Sequence, residues 1–391
     1  MQNNSSEGSW FPVQAANRVT NLDSIRGFAV LGILFMNVVS FGLPSAGYFN
    51  ISTAGLEGPL DWAIAIFGEI FFDQKMMGLF SILFGAGIVM FADGAEVKGH
   101  GARRLSVWRN TLLLGIGVLH SLLWEGDVLL LYALCAPLVL FLRKSSPRKQ
   151  LIVGIAAVSV SIASGPLLQF AIPPNDEGLE GFWFVSDAPM SDVVGLFFLF
   201  NFGARAFGMM MIGVALFRWN VLSGGKSISF YRKMAVLGLG LGLPFAVGGV
   251  VLHIINDFSP RFAFTGEAPN SIATIPVTLG YIGLITLWNK REANNLRERL
   301  NRVGRMALSN YLMQTVIGVT VLRGIFELGD FNRTTLFLFV ITVWGFQLVF
   351  ADSWLRRFQF GPCEWVWRSA TYRKLQPLRI NLPPRYKELT K

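Results

Sequence analysis

Leu22–Asn37 reads LDSIRGFAVLGILFMN. It opens the first long apolar run of the chain, yet it carries Asp23, Ser24, Arg26 and Asn37, polar groups that a simple membrane anchor does not need. Arg26 and Asn37 are eleven positions apart. At about 100° per residue this spacing falls about 20° beyond three whole turns, so both side chains share one face of a helix, roughly 16 Å apart along its axis. Asp23, three positions before Arg26, lies close to the same face and can pair with it. The helix thus offers an ion pair near one membrane surface and a buried amide in the other half.

Composition agrees with a membrane setting. Of 391 residues, 52% are hydrophobic and only 15% charged, against about 25% charged in soluble domains. Apolar runs near 20 residues recur along the chain, and we read ten spans: 23–43, 62–91, 105–123, 128–142, 150–172, 193–217, 233–255, 271–288, 306–322 and 334–355. The second is long enough to be broken or strongly tilted. The expected fold is all-α, a polytopic membrane protein of about ten transmembrane helices.

Basic residues decide the orientation. With the N-terminus cytoplasmic, segments 1–22, 92–104, 143–149, 218–232, 289–305 and 356–391 face inward and hold most of the 34 lysines and arginines. The outward segments hold Arg261, Arg323 and Arg333, and they carry acids such as Asp176, Glu177, Glu180, Asp187 and Asp192. Both termini are therefore expected in the cytoplasm, with a cytoplasmic segment 1–22, a membrane domain 23–355 and a basic, Trp-containing interfacial tail 356–391. Segment 289–305 reads as a short amphipathic helix. The net charge of +10 follows this alternation, so it reads as topology and contact with anionic lipid rather than a nucleic-acid footprint. A bacterial inner membrane is the simplest location. Met1–Asn21 lacks the three regions of a signal peptide, so the first helix is expected to stay. Cys135 and Cys363 imply neither a disulfide framework nor a metal site. No Walker A motif, nucleophile elbow or dinucleotide fingerprint is present.

The polar residues inside the spans are the site candidates. Lys75, two positions after Asp73, needs a carboxylate, a water-filled cavity or an anionic ligand; a structural ion pair with Asp73 or Asp23 is the alternative. Downstream, Gly78, Gly85 and Gly87 form a small-residue face for close approach. His120 stands in a strongly apolar helix, eleven positions after Arg109, and Glu125 and Asp127 follow in a short turn. An imidazole beside a carboxylate can act as general base; a hydrogen-bonded structural histidine is the plainer reading. His253, followed by Asn256 and Asp257, ranks second, and His100 reads as a solvated loop residue. Arg205 cannot deprotonate and must meet an acid or an anionic ligand. In 304–315, GRMALSNYLMQT, Asn310 and Gln314 are four apart on one face and are candidates for substrate binding, with interhelical hydrogen bonding the alternative.

Six stretches, taken together, resemble the YeiB family of bacterial inner-membrane proteins: LDSIRGFAVLGILFMNVVSFGLP (22–44), KMMGLFSILFGAG (75–87), LHSLLWEGDVLLLYAL (119–134), GMMMIGVAL (208–216), GRMALSNYLMQT (304–315) and GPCEWVWR (361–368). They run in order over nearly the whole chain. The first helix also resembles the opening of a wider group of transmembrane acyltransferases, including the heparan-glucosaminide N-acetyltransferases and the polysaccharide O-acyltransferases. In the O-acyltransferases an arginine is followed, ten residues between, by a catalytic histidine. Arg26 fits that pattern, whereas Asn37 holds the histidine's place. The heparan-type enzymes resemble this chain at Asn37 and use a histidine one luminal stretch further on; here the region from Tyr48 to Asn50 holds none.

The resemblance implies transfer of an acetyl or acyl group from cytoplasmic acyl-CoA to a periplasmic glycan, lipid or small molecule. On that expectation His120 is the base, supported by Asn37, Glu125 and Asp127. Asp23, Arg26, Lys75 and Arg305, with Arg103 and Arg104, face the donor, acetyl-CoA or another acyl-CoA. Arg205, Asn310 and Gln314 bind the acceptor, and no metal is expected. A transporter or exporter of an anionic or lipid-like solute is the competing class, and a non-catalytic lipid-binding protein the third. The expected partners are membrane lipids, with homo-oligomerisation left open and nucleic acid excluded.

Overall fold

The computed structural model describes residues 20–99, 101–171, 179–186, 190–292 and 294–380. His100, Asp176, Glu177 and Asp187, singled out above, lie outside the described residues, as do 1–19 and 381–391 of the two terminal segments.

The chain is all-helical. In order run α1 (Thr20–Gly42), α2 (Ala46–Phe49), α3 (Pro59–Phe71), α4 (Lys75–Val97), α5 (Ala102–Ser121), α6 (Leu129–Leu142), α7 (Pro147–Ala171), α8 (Asp192–Arg218) and α9 (Ile228–Ile255). A 3-10 turn at Pro260–Phe262 leads to α10 (Ala268–Asn289), α11 (Asn295–Arg305), α12 (Ala307–Leu322), α13 (Arg333–Leu355) and α14 (Pro362–Tyr372). Several starts are written locally. Ser191, Ser227, Asn294 and Asn332 accept a backbone N–H three positions on and cap α8, α9, α11 and α13. Among the described residues seven segments are long and apolar enough to cross a membrane, with α3 and α4 together forming one of them. Large apolar side chains stand outward, such as Phe141 (84% exposed) and Phe170 (89%), as lipid-facing residues do. The protein is a polytopic membrane protein; nine of the ten expected spans each coincide with one helix, and the second with α3 and α4 together.

The long second span is broken. Between α3 and α4, Gln74 sits at φ +60°, a conformation that costs a non-glycine residue energy unless its surroundings fix it. Here they do: Gln74 donates to Glu267 (3.1 Å) and accepts from Ser271 Oγ (2.9 Å), so α10 holds the break in place.

α4 lies at the centre, packed against α1, α5, α6, α8 and α10. Its glycine face is used in two ways. A Cβ on Gly85 would come within 2.7 Å of Met210 Cα, so the α4–α8 contact needs glycine. Gly87 meets nothing and lines a cavity. Segment 289–305 forms the expected helix, α11, which packs on α1 and α13. The tail helix α14 is docked onto the bundle. Trp108 Nε1 donates to Ala370 O (3.1 Å) and Trp367 Nε1 to Arg109 O (3.0 Å), tying it to α5.

Candidate functional site

Two cavities, each of about 530 Å³, occupy opposite halves of the bundle. Helix α1 walls both: Asp23 and Arg26 line one, Asn37 and Ser40 the other. The shared face expected from the eleven-residue spacing is thus real in structure, and its two ends open on different cavities.

Between the cavities stands a buried cluster. His120 is in the last turn of α5, and its Nδ1 lies 2.7 Å from Asp127 Oδ1. Asp127 belongs to the turn before α6. Its second oxygen accepts Leu130 N–H (2.8 Å), which anchors the carboxylate to the start of that helix. Tyr311 of α12 donates to Asp127 Oδ1 (3.3 Å), and its ring lies 5.2 Å from the imidazole. The His120 and Asp127 side chains are almost wholly buried. A carboxylate on Nδ1 favours the tautomer protonated there and leaves Nε2 as a lone-pair base. That Nε2 is buried with no hydrogen-bond partner among the described residues, and His120 itself lines neither cavity. Asp127 and Val128 face the Asn37-side cavity, while Leu129 and Tyr311 face the Arg26-side cavity.

The Arg26-side cavity is basic and aromatic. Arg26 is paired with Asp23 (2.9 Å), and Lys98, Arg109 and Arg368 line the same space. Arg109 is held between the rings of Phe91 (4.2 Å) and Trp367 (4.3 Å), so its planar charge is oriented without a carboxylate. Glu364, from α14, accepts Leu308 N–H (2.7 Å), Ser309 N–H (3.1 Å) and Ser309 Oγ–H (2.5 Å), capping α12 beside the cavity.

The Asn37-side cavity is acidic, with Glu69, Asp73, Glu125, Asp127 and Glu267 against Arg205 and Arg323. Asn37 is half-buried there and Glu125 is exposed.

Several expected site residues lie elsewhere. Lys75 is fully buried and lines neither cavity. Its Nζ donates to Glu69 O (2.6 Å) and to Asn270 Oδ1, and Asn270 in turn donates to Asp73 (2.9 Å). The amide carries the link between lysine and aspartate, so neither a bound donor nor a direct ion pair accounts for Lys75. Arg305 donates to Gln359 O (3.3 Å) and also lies off the cavity lining, as do the exposed Arg103 and Arg104. Asn310 and Gln314 take the alternative role. Asn310 donates to Val303 O (3.1 Å), and Gln314 donates to Val30 O (3.0 Å) and Gln347 (2.9 Å). Inside apolar helices such amides find neighbouring backbone before they find a ligand. His253 lies 3.4 Å from Glu267 and borders only a small crevice. Tyr311, Arg109 and Glu364 are among the contributors to the two cavities that spacing did not single out as site residues. Only the aromatic hydroxyl in GRMALSNYLMQT hinted at the first.

The fold and site define a polytopic helical membrane protein with two stacked cavities that meet at a buried His–Asp–Tyr cluster. The chain belongs to the YeiB family. The "Uncharacterized protein YeiB" of Escherichia coli (strain K12) is 32% identical over 383 residues, covering 92% of this chain and 98% of that protein. The "Uncharacterized protein YxaH" of Bacillus subtilis (strain 168) is 28% identical over 405 residues, covering 94% and 97%. Residues 216–374 match the family described as "Protein of unknown function (DUF418)". No solved structure matches the chain.

Proposed function

We propose that the protein is an acyltransferase of a bacterial inner membrane, moving an acyl group from acyl-CoA in the Arg26-side cavity to an acceptor in the Asn37-side cavity. The observation that carries the reading is His120, which lines neither cavity itself but is oriented by Asp127, a lining residue of the Asn37-side cavity, and packed against Tyr311, a lining residue of the Arg26-side cavity, with an Nε2 that has no hydrogen-bond partner among the described residues. The basic mouth suits the donor's phosphates, with Arg26, Lys98, Arg109 and Arg368 in reach of it. The cytoplasm would face that mouth, as the distribution of basic residues requires.

In the reaction, His120 Nε2 takes the proton of the acceptor's hydroxyl or amine as that atom attacks the thioester carbonyl. Asp127 holds the imidazole tautomer and stabilises the imidazolium that forms. Asn37 lines the acceptor side, where its amide can donate to the developing oxyanion. Collapse breaks the carbon–sulfur bond, and His120 returns the proton to the departing thiolate. Acceptor and acyl-CoA become acylated acceptor and free thiol, with no oxidant or reductant. Product formation by purified protein, lost in His120→Ala, tests this; unchanged product formation by that variant overturns it.

A transporter of an anionic solute is the second reading, favoured by the buried Lys75 and Arg205 and the half-buried Asp73 between α4, α8 and α10. Uptake of a solute into proteoliposomes without covalent product selects it.

A further inference from the structure

Two cations line the acidic cavity, and neither touches a carboxylate among the described residues: Arg323 is taken up by the backbone carbonyls of Ser40 and Phe41, which leaves Arg205. Arg205, in the middle of α8, is 4% exposed and lines the cavity. One of its terminal nitrogens donates to Asn201 (2.8 Å) and Ser271 (3.3 Å), both neutral. Its Nε is buried with no hydrogen-bond partner among the described residues. A guanidinium stays charged and presents a planar fork of donors, which matches a phosphate. The nearby acids are turned elsewhere: Asp73 accepts from Asn270 (2.9 Å) and Glu267 from Gln74 (3.1 Å).

The same cavity has an apolar side. Leu134 of α6 and Leu199 of α8 line it and are more than half exposed, at 54% and 56%. On α8 one turn deeper, Gly203 O lies 3.7 Å from Cys135 Sγ and closes α6 onto α8. Across α8, Ser161 donates to Asn201 O (3.0 Å) and closes α7 onto it. Leu134 and Leu199 thus give the cavity an accessible apolar side where α6 and α8 meet.

We infer that this cavity takes a phospholipid from the leaflet at the Asn37 end of α1, with its phosphate on Arg205 and its chains leaving between α6 and α8. The head group carries a positive charge beyond the phosphate. Glu69, Asp73 and Glu267 line the space around Arg205, and an ammonium is complementary to them. The inference deepens the acyl-transfer reading and rests on it for the lipid's role as acceptor; the binding itself does not depend on it.

The test is native mass spectrometry of the full chain in detergent, without acyl-CoA. Phosphatidylethanolamine should be retained, and dioleoylglycerol and glycerophosphoethanolamine should not. Arg205→Gln should lower phosphatidylethanolamine retention at least ~10-fold, the loss of one charge-assisted phosphate contact. Leu134→Trp with Leu199→Trp, which fills this apolar side, should lower retention while the melting temperature holds. Should Arg205→Gln fail to fold, this double variant and the ligand series decide. Equal retention of dioleoylglycerol, equal binding of glycerophosphoethanolamine, or full retention by Arg205→Gln overturns the inference. Equal retention of phosphatidylglycerol overturns the ammonium assignment. Lipid retained as described, with no acylated product when acetyl-CoA is added in a second incubation, would leave this site standing and sink the enzyme reading.

Discussion

His120 owes its character to two neighbours it meets only in the folded chain. Asp127 fixes Nδ1, and the apolar wall leaves Nε2 bare. Replacing His120 by Ala should lower acyl transfer by about 10²–10⁴-fold, the usual worth of a positioned general base. Asp127→Asn should lower kcat with little change in KM, because an amide no longer selects the tautomer; steady-state rates separate the two effects. Arg26 and Asn37 were legible from their spacing, because a helical period puts positions eleven apart on one face. Tyr311 was not, since it reaches Asp127 across 184 positions of chain. Asn310 and Gln314 show the limit of local pattern: amides four apart serve a ligand or a neighbouring helix equally well, and only the surrounding carbonyls of Val303 and Val30 decide.

At the scale of elements, α14 and the α4–α8 contact make separate predictions. Burial, the chief cause, holds the Glu364 carboxyl above its ordinary 4.5 even though Ser309 and Leu308 N–H groups favour its charged form. The folded protein then binds more protons than the unfolded chain over the window above 4.5. Glu364 thus contributes most stability below that window and loses it as pH rises through the raised value. In thermal scans in detergent, wild type minus Glu364→Gln should give its largest difference at low pH and shrink as pH rises. A flat difference contradicts it. Gly85→Val should destabilise by about 1–3 kcal/mol, because the added atoms meet Met210 backbone. Gly87→Ala meets nothing and should stay within about 0.5 kcal/mol of wild type by the same scans. The broken second span was readable from its length. The place of the break was not, because the bonds that hold Gln74 at positive φ come from Glu267 and Ser271, nearly 200 positions away.

For the molecule as a whole, the architecture has a direction. Basic segments lie at the Arg26 end and acids at the Asn37 end, so the two ends are chemically distinct. In a chain without Cys135 and Cys363, a membrane-impermeant maleimide should label Leu328→Cys in intact cells and leave Lys226→Cys unlabelled until lysis. The reverse pattern would invert the orientation. Covalent transfer from one cavity to the other is what the proposed reaction requires above all. The direct measurement supplies radiolabelled acetyl-CoA to the Arg26 side of proteoliposomes made with native lipid extract and follows label into an acceptor. Wild type should pass covalently bound label to the acceptor, and His120→Ala should pass about 10²–10⁴-fold less. Equal transfer by the variant, or no covalent product from either, would contradict it.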